Sequence, residues 1–216
     1  MENTQRYKKL RLLVRKVNKT RKKQAKKIDI LCNDLIAAQR EFIKKLDTIT
    51  FAAHFYEAII GANDLNSLFY IAAELIKTKI HGANVAFFLR NEKDFKLFAS
   101  ENPQPITAEK TRLENFFSAE LVNSICESNR VCNLEDFFAM GLQGNPVHLN
   151  QISAAAVPLG QLGPPLGFIL VYRSAEKKLT PEEINNITAI KGGLAHAIQA
   201  HQPAAQTSGQ TNLNSS

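Results

Sequence analysis

The chain has few cysteines and no long apolar run. Its 216 residues contain three cysteines, Cys32, Cys126 and Cys132, an odd and sparse set that argues against a disulfide-stabilised secreted fold. No apolar run approaches the ~18 residues of a membrane-spanning helix, and the basic N-terminus lacks the apolar stretch of a secretory signal. The sequence therefore predicts a cytoplasmic protein without a transmembrane segment.

Acidic residues are missing from one part of the chain. Residues 6–27 hold no Asp or Glu, and from residue 28 onward there are fifteen basic and nineteen acidic residues, so the net charge of +7 describes neither part. Like charges at i, i+4 on a helix each cost a few tenths of a kcal/mol, so this basic segment repels itself. Its twelve cations are Arg6, Lys8, Lys9, Arg11, Arg15, Lys16, Lys19, Arg21, Lys22, Lys23, Lys26 and Lys27.

Three kinds of polyanionic partner fit the basic segment: nucleic acid, the anionic face of a membrane, or an acidic protein. Nucleic acid would be bound through counterion release, without sequence preference. An anionic membrane contributes about 1 kcal/mol for each Lys or Arg near its surface. A solvated basic helix with no such partner is the simplest alternative.

Proline and glycine are absent until Gly61, so nothing interrupts a helix before that residue. Thirteen of sixteen positions at alternating three- and four-residue spacing, from Tyr7 to Ile59, are apolar. This spacing forms the narrow seam of a coiled coil. We expect a helix over 5–61, closed by Gly61 in the left-handed conformation, and a homodimer through an N-terminal unit 1–61. The seam comprises Leu10, Val14, Val17, Ile28, Leu31, Leu35, Phe42 and Ile49.

The composition of this seam does not decide how the helices pair. Its positions mix Val, Ile, Leu, Phe and Tyr, so a parallel dimer, an antiparallel dimer and a trimer stay open.

A globular domain is predicted over 62–201, followed by a disordered tail over 202–216. Asp64 fits the N-cap of a second helix that ends at Gly82. The next strand, Val85–Arg90, is apolar on both faces, so we expect its sheet to be covered on both sides. The later elements are a strand over Phe95–Ser100 after a polar turn, a helix over 108–129, an irregular stretch over 130–150, strands over Ser153–Leu159 and Leu166–Arg173, and a helix with Thr180 as its N-cap.

Three stretches of the second half resemble GAF domains, the small-molecule sensing modules of signalling proteins. They are Ala154–Leu159 (AAAVPL), Leu166–Tyr172 (LGFILVY) and Leu179–Ile184 (LTPEEI). The resemblance implies an α+β fold in which an antiparallel sheet carries the first and last helices on one face. On the other face, an insert over 101–150 would cover a ligand pocket.

The resemblance also implies a role in signal transduction. Such domains commonly sit at the end of a parallel dimeric helix that passes a ligand-induced change to an output module. The chain contains no motif of a kinase, a cyclase or a response regulator, so the output would be a separate protein. We therefore expect a non-enzymatic sensor that binds a small molecule or a protein partner.

The expected ligand pocket lacks the sharper marks of the family. The Asn-Lys…Phe…Asp-Glu pattern of cyclic-nucleotide-binding members is missing, and neither Cys126 nor Cys132 is followed by the histidine common in bilin-binding members. An enzyme like the sulfoxide reductases of this fold is a further alternative, but buried thiols explain the two cysteines better. The cofactor stays unknown, no metal site is expected, and the candidate pocket residues are Arg112, Phe116, Phe117, Phe138, Met140 and His148.

Overall fold

A single helix of 59 residues, α1 (Glu2–Ile60), opens the structure, a computed structural model that describes residues 2–91, 94–100, 112–160 and 166–201. The long helix predicted from the missing proline and glycine is confirmed. The expected left-handed Gly61 is wrong, because Gly61 does not have a positive φ. Ala62 closes the last turn instead, by donating its N–H to the carbonyl of Ile59 at 3.1 Å.

The chain divides into two units at Asp47, and α1 contributes to both. In the first unit, every described side chain of α1 from residue 5 to residue 47 is exposed. The second unit, which we call the globular unit, begins at Thr48. Phe55 and Ile59 of α1 are 0% and 5% exposed there, so the last turns of α1 are part of its core.

The globular unit is built on a five-stranded antiparallel sheet with strand order β2-β1-β5-β4-β3. The four predicted strands are confirmed, and a two-residue strand, β3, joins one edge. The strands are β1 (Asn84–Asn91), β2 (Asp94–Ser100), β3 (Cys132–Asn133), β4 (Ile152–Leu159) and β5 (Gly167–Ser174).

Helices cover both faces of this sheet, as the doubly apolar β1 predicts. One face, which we call the helix face, packs against the end of α1 and two further helices, α2 (Leu65–Lys79) and α6 (Pro181–His201). The other face, which we call the insert face, packs against residues 113–149. Along β1, Phe87 contributes to the core on the helix face and Phe88 to the core on the insert face, because successive side chains of a strand point to opposite faces.

Polar side chains fix the starts of two helices by accepting hydrogen bonds from backbone N–H groups. Asp64 caps α2 by accepting from the N–H of Ser67 at 2.8 Å, as predicted. Thr180 and Glu183 form a reciprocal capping box at the start of α6, with distances of 2.8 and 3.2 Å. Both predicted helix starts are therefore confirmed.

The predicted helix over 108–129 is confirmed only in part, because its described residues do not form one continuous helix. A 3₁₀ turn over Leu113–Phe116 is followed by a separate helix, α3 (Ala119–Ser128). Ser118 separates them because its hydroxyl accepts from the N–H of Leu121 at 3.2 Å, which makes it an N-cap.

The stretch predicted to be irregular, 130–150, contains two short helices. They are α4 (Leu134–Ala139) and α5 (Pro146–Leu149). A capping box between Asn133 and Asp136 starts α4, which explains why this polar segment is ordered.

Some predictions lie outside the described residues. These are the tail 202–216, the turn residues Glu92 and Lys93, the segment 101–111 of the insert and the linker 161–165. Within the described residues, no helix combines the length and the apolar character needed to cross a membrane.

Candidate functional site

The eight seam residues lie on the exposed surface of α1. The least exposed are Val14 and Val17, at 53% each, and the most exposed is Leu35, at 68%. Burial of such large aliphatic and aromatic side chains by a partner stabilises the complex, by roughly 1.5–3 kcal/mol for each side chain that becomes fully buried. The described chain itself leaves this surface open to solvent.

The three- and four-residue spacing runs to Ile59, beyond the eight seam residues, but its last positions are not exposed. Ala52 and Tyr56 are partly buried and Ile59 is buried, and all three pack on the core of the globular unit. The surface available for a partner helix therefore ends at Ile49, which is 65% exposed.

The twelve cations of the basic segment are all exposed on α1. No acidic residue lies between Arg6 and Lys27, so their charges add over about six helical turns. This part of the chain can attract an anionic surface, and the attraction weakens with rising salt.

Aromatic rings of the described insert pack against aromatic rings of the sheet. The ring of Phe117 lies 5.3 Å from that of Phe88 and 5.4 Å from that of Phe137, measured between centroids. Phe88 in turn stacks on Phe168 of β5 at 4.7 Å. The candidate residue Phe117 is half-buried and packs against the core on this face of the sheet.

The remaining candidate pocket residues are only partly brought together. Phe116, Phe138 and Met140 are half-buried and pack against the same core as Phe117. His148 is half-buried on α5, in a helix of four residues. Their role in ligand binding stays a prediction.

A buried carboxylate next to Arg112 was not foreseen from the sequence. Glu114 is 6% exposed and accepts a hydrogen bond of 2.5 Å from the phenol of Tyr172. One guanidinium nitrogen of Arg112 lies 3.9 Å from the second carboxylate oxygen of Glu114. Burial, and then the hydrogen bond to Glu114, raises the pKa of Tyr172, so its phenol stays a donor. Glu114 and Tyr172 are 58 positions apart in the sequence, and no local pattern links them.

Neither cysteine of the insert has the properties of a catalytic nucleophile. Cys126 and Cys132 are free thiols and are 3% and 0% exposed. Burial raises the pKa of Cys126 to about 11, so this thiol is protonated at neutral pH, whereas nucleophilic cysteines need a lowered pKa and access. Among the described residues, no three His, Cys, Asp or Glu side chains cluster as a metal site.

Polar contacts join the end of α1 to α6, the last helix of the globular unit. The hydroxyl of Thr48 lies 2.8 Å from the side-chain oxygen of Asn186, which is only 5% exposed. The phenol of Tyr56 donates to the carbonyl of Ala189 at 2.8 Å. Its ring lies directly over Gly193, where an added Cβ would come within 2.2 Å of it. These contacts connect the end of the long helix to the last helix of the globular unit.

We expect the substitution Gly193→Ala to destabilise the globular unit, although alanine favours helices. The methyl group displaces the Tyr56 ring, at a cost of about 1–3 kcal/mol, and the gain in helix propensity returns only about 1 kcal/mol. Thermal or urea unfolding measures the difference. In a Tyr56→Ala background the clash is absent, so the same substitution should be neutral or stabilising. A similar loss in both backgrounds would contradict the contact.

Solved structures share the fold of the globular unit at low sequence identity. The GAF domain from a phosphoenolpyruvate-protein phosphotransferase of Coxiella burnetii has a TM-score of 0.54 at 13% identity, covering 72% of this chain and 94% of that chain. A GAF sensor protein from Burkholderia vietnamiensis has a TM-score of 0.54 at 14% identity, over 74% and 99%. For fRMsr of Staphylococcus aureus, in complex with its substrate, the values are 0.50 and 11%, over 70% and 95%.

These likenesses confirm the GAF-like fold that the sequence predicts. No protein-family model and no curated protein matches the sequence. The fold alone does not assign a function, because the structures that share it include both a sensor protein and a protein bound to its substrate.

Proposed function

We propose that this protein is a non-enzymatic, cytoplasmic signalling protein that pairs through α1 and acts on a separate output protein. The observation that carries the proposal is the exposed seam on a helix whose last turns belong to a GAF-like domain. The domain would sense a small molecule or contact a protein partner. Paired helices would then relay the change.

The contact between α1 and α6 supplies a route for this relay. The Tyr56 ring rests on Gly193 with no room for even a methyl group, and its phenol is held by the carbonyl of Ala189. A shift of α6 against the sheet therefore moves Tyr56 and the helix that carries it. Because packed interfaces resist continuous deformation, such small shifts tend to switch between discrete arrangements.

The insert would supply the sensing side of the domain. A molecule that enters between the described insert and the sheet would meet half-buried rings such as Phe116 and Phe117. The buried carboxylate of Glu114 lies in the same 3₁₀ turn as Phe116. Displacement of these rings would alter the packing of the sheet. The sheet carries α6 on its opposite face, so a change in the packing of the sheet would shift α6.

Introducing charge into the seam should separate the paired chains. We expect the double substitution Leu35→Asp and Phe42→Asp to turn a dimer into a monomer, since both side chains are exposed in the single chain and buried only in the pair. Two carboxylates from each chain would then have to be buried at the interface without partners. Sedimentation equilibrium of the full chain measures the mass, and circular dichroism checks that the domain stays folded.

The matched control is Ile30→Asp. Ile30 is equally apolar and 59% exposed, but it lies on the side of α1 opposite the seam. This variant should keep the mass of the unmodified chain. If Ile30→Asp dissociates the protein as well, or if the double variant leaves the mass unchanged, residues 35 and 42 do not form the interface.

A second candidate function is the binding of an anionic surface through the basic segment. The complete exposure of its cations, with no acidic residue among them, favours this candidate. We expect affinity for a DNA duplex or for anionic vesicles to fall steeply with salt, with a slope of about −0.9 for each DNA phosphate neutralised. Replacement of Lys8, Arg11, Arg15 and Lys22 by Gln should reduce that slope. Binding that is absent at low salt, or indifferent to it, would exclude this candidate.

A further inference from the structure

A second apolar line runs along α1 beside the coiled-coil seam. Positions 32, 36, 39, 43 and 46 each come one residue after a position of the three- and four-residue spacing, and four of these five are apolar: Cys32, Ile36, Ile43 and Leu46, with the polar Gln39 between the two isoleucines. The three aliphatic members are 46%, 57% and 51% exposed, and Cys32 is exposed too. We call these four residues the second seam.

Two adjacent seams exceed what a two-stranded coiled coil needs. One residue advances about 100° around an α-helix, so the second seam faces a direction roughly perpendicular to the first. Two helices that pair need only one apolar seam each. In a four-helix bundle, by contrast, each helix contacts two neighbouring helices, and the directions toward these two neighbours are about perpendicular.

The line of the second seam changes character toward the N-terminus. Continued at the same spacing, it passes through Asp29, Ala25 and Asn18, and through four exposed cations of the basic segment, Lys8, Arg11, Arg15 and Lys22. Four of the five positions of this line over 8–22 are therefore cationic, and four of the five over 32–46 are apolar. A helix that lies along this line must match both halves.

We propose that the second seam binds an amphipathic helix of a different protein, apolar where it faces 32–46 and acidic where it faces 8–22. Two such helices and two copies of α1 would form a four-helix bundle with 2:2 stoichiometry. The inference rests on the proposed pairing through the first seam and specifies the chemistry of the output partner.

The charges disfavour further copies of the same chain as the occupant. A parallel copy on this line would place its own Lys8, Arg11, Arg15 and Lys22 against the same cations, and like charges in contact repel. An antiparallel copy would place these cations against the apolar half of the line, where they would lose water without gaining a partner. An acidic helix converts that repulsion into attraction, while its apolar half covers the exposed isoleucines.

A synthetic helical peptide of this design tests the inference. It carries leucines at alternating three- and four-residue spacing in one half and glutamates on the same line in the other. We expect fluorescence anisotropy with the full chain to show saturable binding of one peptide per chain. A peptide with lysine in place of each glutamate should bind at least about tenfold more weakly.

Two variants locate the binding surface. Ile36→Gln with Ile43→Gln should weaken binding of the acidic peptide at least about tenfold, which corresponds to about 1.4 kcal/mol. Ile30→Gln removes an equally exposed isoleucine from the opposite side of α1 and should leave binding unchanged. Equal binding by all three proteins, or equal binding of the lysine peptide, would overturn the inference.

The mass of each protein separates this inference from the proposed function. If the chain without peptide is a tetramer that Ile36→Gln with Ile43→Gln reduces to a dimer, further copies occupy the second seam and the inference is wrong. If the chain is a dimer but the acidic peptide does not bind, the inference fails while the pairing stands. A monomeric chain would refute the proposed function itself.

Discussion

Replacement of Gly167 by alanine is expected to destabilise the globular unit strongly. Gly167 begins β5 with a φ of +144°, a conformation that residues with a side chain rarely adopt. An added Cβ would lie 1.8 Å from the carbonyl oxygen of Phe88 on β1. Because backbone cannot rotate away as a side chain can, β1 and β5 must separate at this point. We expect the free energy of unfolding to fall by at least about 3 kcal/mol.

Gly82 provides the matched control for this substitution. Its φ is also positive, at +75°, but no atom lies within 4 Å of an added Cβ. Gly82→Ala should therefore carry only the cost of the left-handed conformation, about 1–2 kcal/mol. Urea unfolding of both variants measures the difference. Equal losses would mean that the contact between Gly167 and Phe88 does not constrain the sheet.

Replacement of Arg173 by methionine should have an effect of similar size. The Arg173 side chain is 9% exposed and lies 2.7 Å from a carboxylate oxygen of Glu183. It also donates to the carbonyls of Lys177, Lys178 (2.8 Å) and His81 (3.4 Å). One guanidinium thus holds the end of β5, the start of α6 and the turn after α2. Its removal leaves several of these acceptors unpaired, and we expect a loss of about 3–5 kcal/mol.

An exposed ion pair of the same type is the control. Arg130 lies 2.5 Å from Asp136, with 57% of its side chain exposed. Arg130→Met should lower the urea midpoint far less than Arg173→Met, because water replaces the lost partner. Arg173→Lys keeps the charge but not the fork of donors, so its loss should lie between the two. If Arg173→Met and Arg130→Met shift the midpoint equally, Arg173 does not hold these elements together.

The elements that local spacing specifies could be predicted from the sequence. The unbroken 3–4 spacing gave α1, and the apolar residues on both faces of Val85–Arg90 gave a sheet covered on both sides. Caps were predictable wherever a polar residue precedes an apolar helix, as at Asp64 and Thr180. These features depend on residues within one or two turns of each other.

Contacts between distant residues could not be predicted in this way. Nothing near Glu114 in the sequence points to Tyr172, and nothing near Tyr56 points to Gly193. Ser118 was missed for a different reason, because Phe116 and Phe117 continue the apolar period of a helix that the Ser118 cap actually separates. The candidate pocket was expected from the resemblance to GAF domains; in the structure Phe117 is half-buried and packs against the rings of Phe88 and Phe137, and its role in ligand binding stays a prediction.

Pairing through α1 is the central claim, and the mass of the unmodified full chain in solution tests it most directly. One chain has a mass of 24.1 kDa. Sedimentation equilibrium at micromolar concentration should give twice that value, because the exposed seam is covered by the same seam of a second copy. A single species of 24.1 kDa would contradict the claim.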